Sequence, residues 1–311
     1  MTKEKIKNIA IINGHSVKVD HGRIHYTRSK KFPEKGYDTK VNKEVDHVDI
    51  VTLRSDSTFS NGELEFTLHC KSFNTSVLAV FNTFVGKKIR CGYSSLWSSF
   101  IITLREDANL VIPQVAAGSL ENYKLGEPIR FKIMIQGSQV RLLINDIEMC
   151  SAIVPIKDSA LEFEISSNDD FEISDISVYS SSSKSAFVVM QFSKEYNELY
   201  EEVIKPVIKE FGYECKRADE IYTSTPILED IRQSIKESSV VVAEITPDNP
   251  NVFYELGYSQ AINKPIILLC DRSRGNKLPF DISGIRTIFY ENKIVGKKSV
   301  EDNLRMFLKK I

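Results

Sequence analysis

The sequence predicts two domains of different class: an all-β sandwich or barrel over residues 1–180, then an α/β open parallel sheet over 185–311. Three observations carry this. In the first part, apolar residues alternate in short runs, as in Glu63-Leu64-Glu65-Phe66-Thr67-Leu68-His69. In the second, β-branched runs alternate with longer segments whose apolar residues recur at helical spacing. Between them stands Ser180-Ser181-Ser182-Ser183-Lys184, a composition shift that marks a linker over 181–184.

The bulk composition suits two ordinary domains. The chain has 311 residues, with 42% apolar residues for its cores. A net charge of −1 with 27% charged residues gives no basic excess for nucleic acid. No apolar run nears the roughly 18 residues of a membrane span. The segment from Met1 to Ser16 is basic, but its apolar part is too short for a secretory signal. Cys70, Cys91, Cys150, Cys215 and Cys270 are scattered, odd in number and without a C-x-x-C. That suits a reducing cytoplasm and argues against structural zinc. The five histidines all precede residue 70 and lack metal-ligand spacing, so no metal is expected.

The first domain reads as about ten strands from residue 10 onward. Runs at Ser76 to Phe84 and Phe100 to Arg105 are β-branched and aromatic. Arg130 to Gln136, Gly137-Ser138 and Gln139 to Ile144 form a hairpin signal. Leu161 to Ile165 and Phe171 to Val178 alternate again. Trp97, the only tryptophan, falls in a polar loop, where core or edge packing competes with a binding platform. The hairpin from Gly137 to Asp146 and the closing Phe171-Glu172-Ile173-Ser174-Asp175-Ile176-Ser177-Val178 resemble the concanavalin-like, laminin-G type of jelly roll. That resemblance implies a module for an activating ligand or partner protein, or a scaffold for assembly.

In the second domain Ala186 to Met190 reads as a buried strand, followed by the turn Gln191-Phe192-Ser193. Ser193 is placed to cap a helix that runs to Phe211, with a kink expected at Pro206. Tyr213 to Ala218 is a polar edge strand. Thr225 is the expected cap, and Pro226 the first residue, of the next helix. Val240 to Ile245 is a strand, Asn251 to Ile262 a helix, and Pro265 to Cys270 a strand. Thr287 to Tyr290 and a helix from Val300 to Lys310 close the chain. Five strands alternating with helices predict a flavodoxin-like doubly wound sheet. No P-loop or G-x-G-x-x-G is present, which excludes kinases and dinucleotide dehydrogenases.

In such sheets ligands bind at the carboxyl ends of the strands. The stretches there are Met190-Gln191-Phe192-Ser193, then Arg217-Ala218-Asp219-Glu220, then Asp248 to Glu255, with candidate site residues Phe192, Ser193, Arg217, Asp219, Glu244, Asn249, Asn251, Tyr254 and Glu255. Asp230 lies early in the helix before the third strand. Each has a bland alternative. A glutamate on a short helix is usually a solvated charge, and Asn-Pro-Asn is usually a turn. Arg217 and Asp219 could grip phosphate and ribose or form an edge-strand ion pair. Phe192 could be core, and Asp230 a surface charge. Glu244 is an acid in an otherwise apolar strand, which points to a perturbed group near the site.

Residues 185–311 resemble the nucleoside 2-deoxyribosyltransferase-like and bacterial TIR-like N-glycosidases. The resemblance rests on Ile235 to Ser239 running into Val240 to Thr246, then Asn249-Pro250-Asn251-Val252-Phe253-Tyr254-Glu255-Leu256-Gly257-Tyr258, then Lys264 to Leu268. It implies that Glu255 is the catalytic carboxylate, that Asp230 binds and protonates the base, and that Phe192 stacks on it. Asn249 stands where the transferases place an acid on the sugar hydroxyls, which favours hydrolysis of a ribonucleotide over deoxyribosyl transfer. The expected activity is cleavage of an N-glycosidic bond in NAD or a related nucleotide, with NAD as substrate and no cofactor. The setting implied is a cytoplasmic, homo-oligomeric effector of antiviral defence. Two alternatives stay open: a deoxyribosyltransferase or nucleoside monophosphate hydrolase, and a module that binds a nucleotide signal without turnover.

Overall fold

The computed structural model describes the chain except residues 1, 7, 29–34, 39–42, 47–48, 85, 106–110, 181–183, 222–225, 247 and 275–277. The linker serines and the expected cap Thr225 lie outside the described residues. The chain divides into two compact units. One is Met1–Ile135, Val140–Ala152 and Ile156–Ser181; the other is Gln136–Gln139, Ile153–Pro155 and Ser182–Ile311.

The first unit is built on two antiparallel sheets. One runs in the order Ile147–Ile153, Gln139–Ile144, Ile129–Gln136, Gly62–Cys70, Phe171–Ser180, Arg23–Tyr26, Val17–Asp20, with Thr2–Lys5 also on Phe171–Ser180. The other runs Val111–Ala117, Ser99–Arg105, Lys88–Ser94, Thr75–Asn82, Ser159–Ser167, Val51–Phe59, Ile9–Asn13. Strands begin at Thr2 and exceed the ten expected, because four-residue strands such as Val17–Asp20 are too short to show a period. The expected alternation is realised: along Gly62–Cys70 every second residue is buried. The inner faces meet through Phe66, whose ring lies 5.7 Å edge-on from Phe163, and Phe100, 5.9 Å from Phe131. Trp97 sits in the turn between Lys88–Ser94 and Ser99–Arg105, 36% exposed, so it is a turn residue and not core. All five cysteines are free and buried.

The second unit carries a five-stranded parallel sheet. Its strands are β1 (Lys184–Val189), β2 (Tyr213–Arg217), β3 (Val240–Glu244), β4 (Ile266–Asp271) and β5 (Thr287–Tyr290). Their spatial order is β2-β1-β3-β4-β5. The order reverses direction at β1, between β2 and β3, which opens a crevice at the carboxyl ends there. The helices are α1 (Lys194–Leu199), α2 (Lys205–Glu210), α3 (Ile227–Glu237), α4 (Pro250–Ala261) and α5 (Ile294–Leu308). Val240 and Val242 pack with α1, α2 and α5 on one face; Val241, Ala243 and Ile245 pack with α3 and α4 on the other. No helix among the described residues is long and apolar enough to cross a membrane.

Four local expectations need correction. The irregularity expected at Pro206 is a π turn over Tyr200–Ile204, in which the Lys205 N–H donates to the Tyr200 carbonyl. Pro206 has no N–H to offer Glu202, and the widened turn precedes it directly. Ser193 occupies the cap position of α1, but its hydroxyl makes no capping bond. Pro226 is the residue that caps α3, one place earlier in the helix frame than expected. Finally, α5 starts six residues before Val300, at Ile294, because Gly296 is helical there. A Cβ on Gly296 would collide with the Glu291 carbonyl, so glycine serves close packing at this point.

Candidate active site

A cavity of about 620 Å³ opens at the carboxyl ends of β1, β2 and β3. Its walls are largely apolar: Met190 and Phe192 after β1, Ala218 after β2, Ile227, Leu228 and Ile231 from α3, Val252 and Tyr254 from α4. Its polar lining is Gln191, Asp219, Asn249, Asn251 and Glu255. An apolar cleft with few convergent polar groups is the usual form of a small-molecule site.

The β3–α4 loop sets the polar end. Asn249 takes an extended conformation (φ −129, ψ 118), and its Oδ1 accepts the Asn251 N–H at 2.9 Å. Pro250 follows at the first helical position, where a missing N–H costs nothing. The Asn-Pro-Asn string is therefore a helix cap, in which the Asn249 Oδ1 is used by the Asn251 N–H while both side-chain amides line the cavity. Helical spacing then brings Asn251 and Glu255 onto one face.

Glu255 is 9% exposed. Burial alone pushes its carboxyl up to about 7. Its carboxylate has no hydrogen-bond or ion-pair partner among the described residues, while its backbone carbonyl accepts from Ser259 Oγ at 2.8 Å. An unpartnered carboxyl in an apolar wall is costly to keep ionised, and a cation arriving beside it removes that cost.

Phe192 lines the cavity with 54% of its surface exposed. The Arg217 guanidinium lies 5.2 Å from its ring and 4.2 Å from the ring of Tyr200. Arg217 itself is 5% exposed and does not line the cavity. Its Nε and Nη2 each donate to Asp219 at 2.7 Å, and Nη1 donates to Asn197 Oδ1 at 2.9 Å. The structure shows the ion-pair alternative for these two residues, with the Asp219 carboxyl lining the cavity and the Arg217 guanidinium behind it.

The remaining expected site residues do not line the cavity. Asp230 sits half-buried on the first turn of α3, with its neighbours Leu228 and Ile231 facing in. Ser193 is half-buried at the start of α1. Glu244 is 1% exposed and reaches Tyr290 Oη at 3.2 Å, among the residues that pack against α1 and α5. Glu244 alternates with Ala243, so it faces away from α4 and Glu255. Burial and a neighbouring Asp271 push its carboxyl up to about 8, against bonds from Thr246 and Tyr290. This raised proton affinity belongs to the sheet face opposite the cavity. The lining residues that the sequence did not place at the site are Ile227, Leu228 and Ile231, all on α3. Helical spacing turns Ile227 and Leu228 inward with Ile231 and Ile235, but they are 74% and 56% exposed and line the cavity instead of the core.

No protein-family model and no curated protein matches the chain. Among solved structures, it is similar to a CMP N-glycosidase from Clostridium botulinum at 22% identity, covering 40% of this chain and 99% of that one, TM-score 0.33. It is also similar to a carbohydrate-binding module from Bacillus subtilis (7% identity, 56% of this chain and 97% of that one, TM-score 0.38). A third is the laminarinase catalytic domain from Thermotoga maritima (9% identity, 58% and 98%, TM-score 0.39). Likeness at this level assigns neither a family nor an activity.

Proposed function

We propose that the second unit, a flavodoxin-like doubly wound domain, hydrolyses an N-glycosidic bond in NAD or a related nucleotide, with Glu255 as the catalytic carboxylate. One observation carries this: an unpartnered, buried carboxyl stands in an apolar cavity beside an exposed aromatic ring, at the crevice where the strand order reverses. Cleavage of a ribosyl–base bond develops positive charge on the sugar. Ionised Glu255 stabilises that charge, or bonds to C1′ as the base leaves with the electron pair of the C–N bond. Water then adds at C1′, displacing the Glu255 carboxylate where it has bonded there, and its proton is released. Phe192 is the stacking surface for the base. A neutral base needs a proton as it leaves; a pyridinium base, as in NAD, leaves neutral without one. Asp230 does not line the cavity, which favours a leaving group that needs no acid.

A second reading, an unphosphorylated nucleoside as substrate, is supported by the cavity's charge. No Lys or Arg stands among the described lining residues, and Asp219 and Glu255 are acidic. From the sequence resemblance, the proposal extends to a regulated, homo-oligomeric cytoplasmic effector of defence whose β-sandwich takes the activating ligand or protein.

The test is base release, followed by chromatography, from NAD, nucleosides and nucleoside monophosphates. Wild type is expected to release base and Glu255→Gln to release at most a trace. Release that survives the substitution removes Glu255 from the chemistry. Saturable binding without release from any substrate turns the site into a nucleotide-binding module.

A further inference from the structure

Helix α3 carries an apolar stripe longer than the surface that buries it. Ile227, Leu228, Ile231 and Ile235 fall at helical spacing on one face. Ile231 and Ile235 are buried and pack on the sheet with Val241 and Ala243. Ile227 and Leu228 form the first turn, at the carboxyl end of the sheet, and stay largely exposed. Every residue that α3 lends to the cavity comes from this stripe: Ile227, Leu228 and Ile231. Apolar residues exposed singly are ordinary. A run of them in a concave surface that also holds an unpartnered, buried carboxyl marks a place for a ligand.

The cavity therefore has two chemistries. A sugar that reacts at Glu255 lies on the α4 side, where Asn249 and Asn251 supply amides for its hydroxyls. The base lies on Phe192. What remains is the α3 side, whose lining side chains offer no hydrogen bond. A polar group placed there gives up water and gains nothing. An apolar group sheds water from itself and from Ile227 and Leu228 together. The cavity's volume of about 620 Å³ lies within the range that encloses drug-sized ligands.

We propose that the first turn of α3 is a subsite for the leaving base, and that it makes the site select N-ribosides whose base carries an apolar substituent. Ile227 and Leu228 are the specificity-determining residues. This rests on the N-glycosidic reading above. Each methylene taken out of water is worth about fourfold in affinity.

The experiment measures kcat/KM of the full chain for base release from the amide N-methyl and N-butyl derivatives of nicotinamide riboside. The two share a pyridinium leaving group and one amide N–H, and differ by three methylenes. Wild type is expected to favour the butyl compound by about 10-fold or more, as when two of those methylenes are covered. Leu228→Ser and Ile227→Ser lower the butyl value far more than the methyl value, so that the ratio falls toward one. Leu228→Met, which keeps apolar volume, keeps the ratio. A wild-type ratio near or below one overturns the inference, as does an equal loss on both compounds in the serine variants. A serine variant that changes the oligomeric state in sedimentation shows the turn to be a contact between copies of the chain, and also overturns it. If wild type cleaves neither compound, the activity reading fails by itself. The affinity ratio of the same two compounds, from calorimetry on the same variants, still decides the subsite. A ratio near one in wild type, or no binding of either, overturns it.

Discussion

Glu244 Oε1 accepts a hydrogen bond from Tyr290 Oη at 3.2 Å, and Oε2 accepts the Thr246 N–H at 2.9 Å, on the sheet face opposite Glu255. Two buried carboxyls, one on each face of β3, thus have raised proton affinities from the same cause, burial. Their consequences separate by measurement.

The first concerns stability and pH. Glu244 rises to about 8 in the folded chain from an ordinary value of about 4.5. The folded state therefore holds a proton that the unfolded state has lost between those values. Stability is fullest below about pH 4.5 as far as this group is concerned, and declines as pH rises through about 8. Glu244→Gln should flatten that decline. Thermal unfolding of both proteins from pH 5 to 9 should show the variant gaining relative to wild type as pH rises. A variant that loses ground to wild type as pH rises would refute the assignment.

The second concerns Glu255 in the same terms. Its rise to about 7 makes ionisation cost up to about 3 kcal/mol of stability above pH 8. Glu255→Gln should then be inactive yet more stable than wild type at pH 8. A variant that melts lower at pH 8 would show the carboxylate to be a structural partner.

The pH–rate profile follows from the requirement for ionised Glu255. With its value near 7, kcat/KM should rise about tenfold per pH unit below 6 and level off above 8. A rate already flat from pH 5 would mean another group controls the chemistry.

Phe192 presents its ring to the cavity. Base stacking on such a ring contributes about 1–3 kcal/mol. Phe192→Ala should raise KM about tenfold or more with a smaller change in kcat, and Phe192→Tyr should keep most of the affinity. Loss of kcat at unchanged KM would place the ring outside the base subsite.

Asn249 should behave as a helix cap. Asn249→Ala should lower stability by about 1 kcal/mol, while Asn249→Asp or Asn249→Ser keeps an acceptor for the Asn251 N–H. Chemical denaturation reads this directly, and equal losses in all three would point to the amide Nδ2 instead.

Much of the second unit is legible in the sequence where one signal dominates. Val240 to Val242 is a β-branched run within an apolar strand, and Asn249-Pro250 combines a cap with a first-turn proline, so the loop, the helix and the position of Glu255 follow. The face of Glu244 was also within reach: it alternates with Val241 and Ala243, which pack under α3 and α4. Its acidity and its place at the strand end point to the crevice, and the alternation of β3 turns it to the other face. The role of Arg217 was not legible, because its partners Tyr200, Asn197 and Phe192 come from a helix and a loop some 20 residues away. The start of α5 was hidden by Ile294 and Val295, 89% and 82% exposed, which break the amphipathic pattern that Val300, Leu304 and Leu308 keep.

The π turn at Tyr200–Ile204 amounts to one surplus residue wound into an otherwise regular helix. Removing a single residue there would let the coil close into an ordinary α-helix. The five residues of the π turn wind about as far as four α-helical residues, so the helix on either side would keep its phase, and Asn197 and Tyr200 would still meet Arg217. The same deletion outside this turn would rotate one flank by about 100° and withdraw them. The chain therefore has one place in this helix where its length can change without releasing the Asp219 carboxylate.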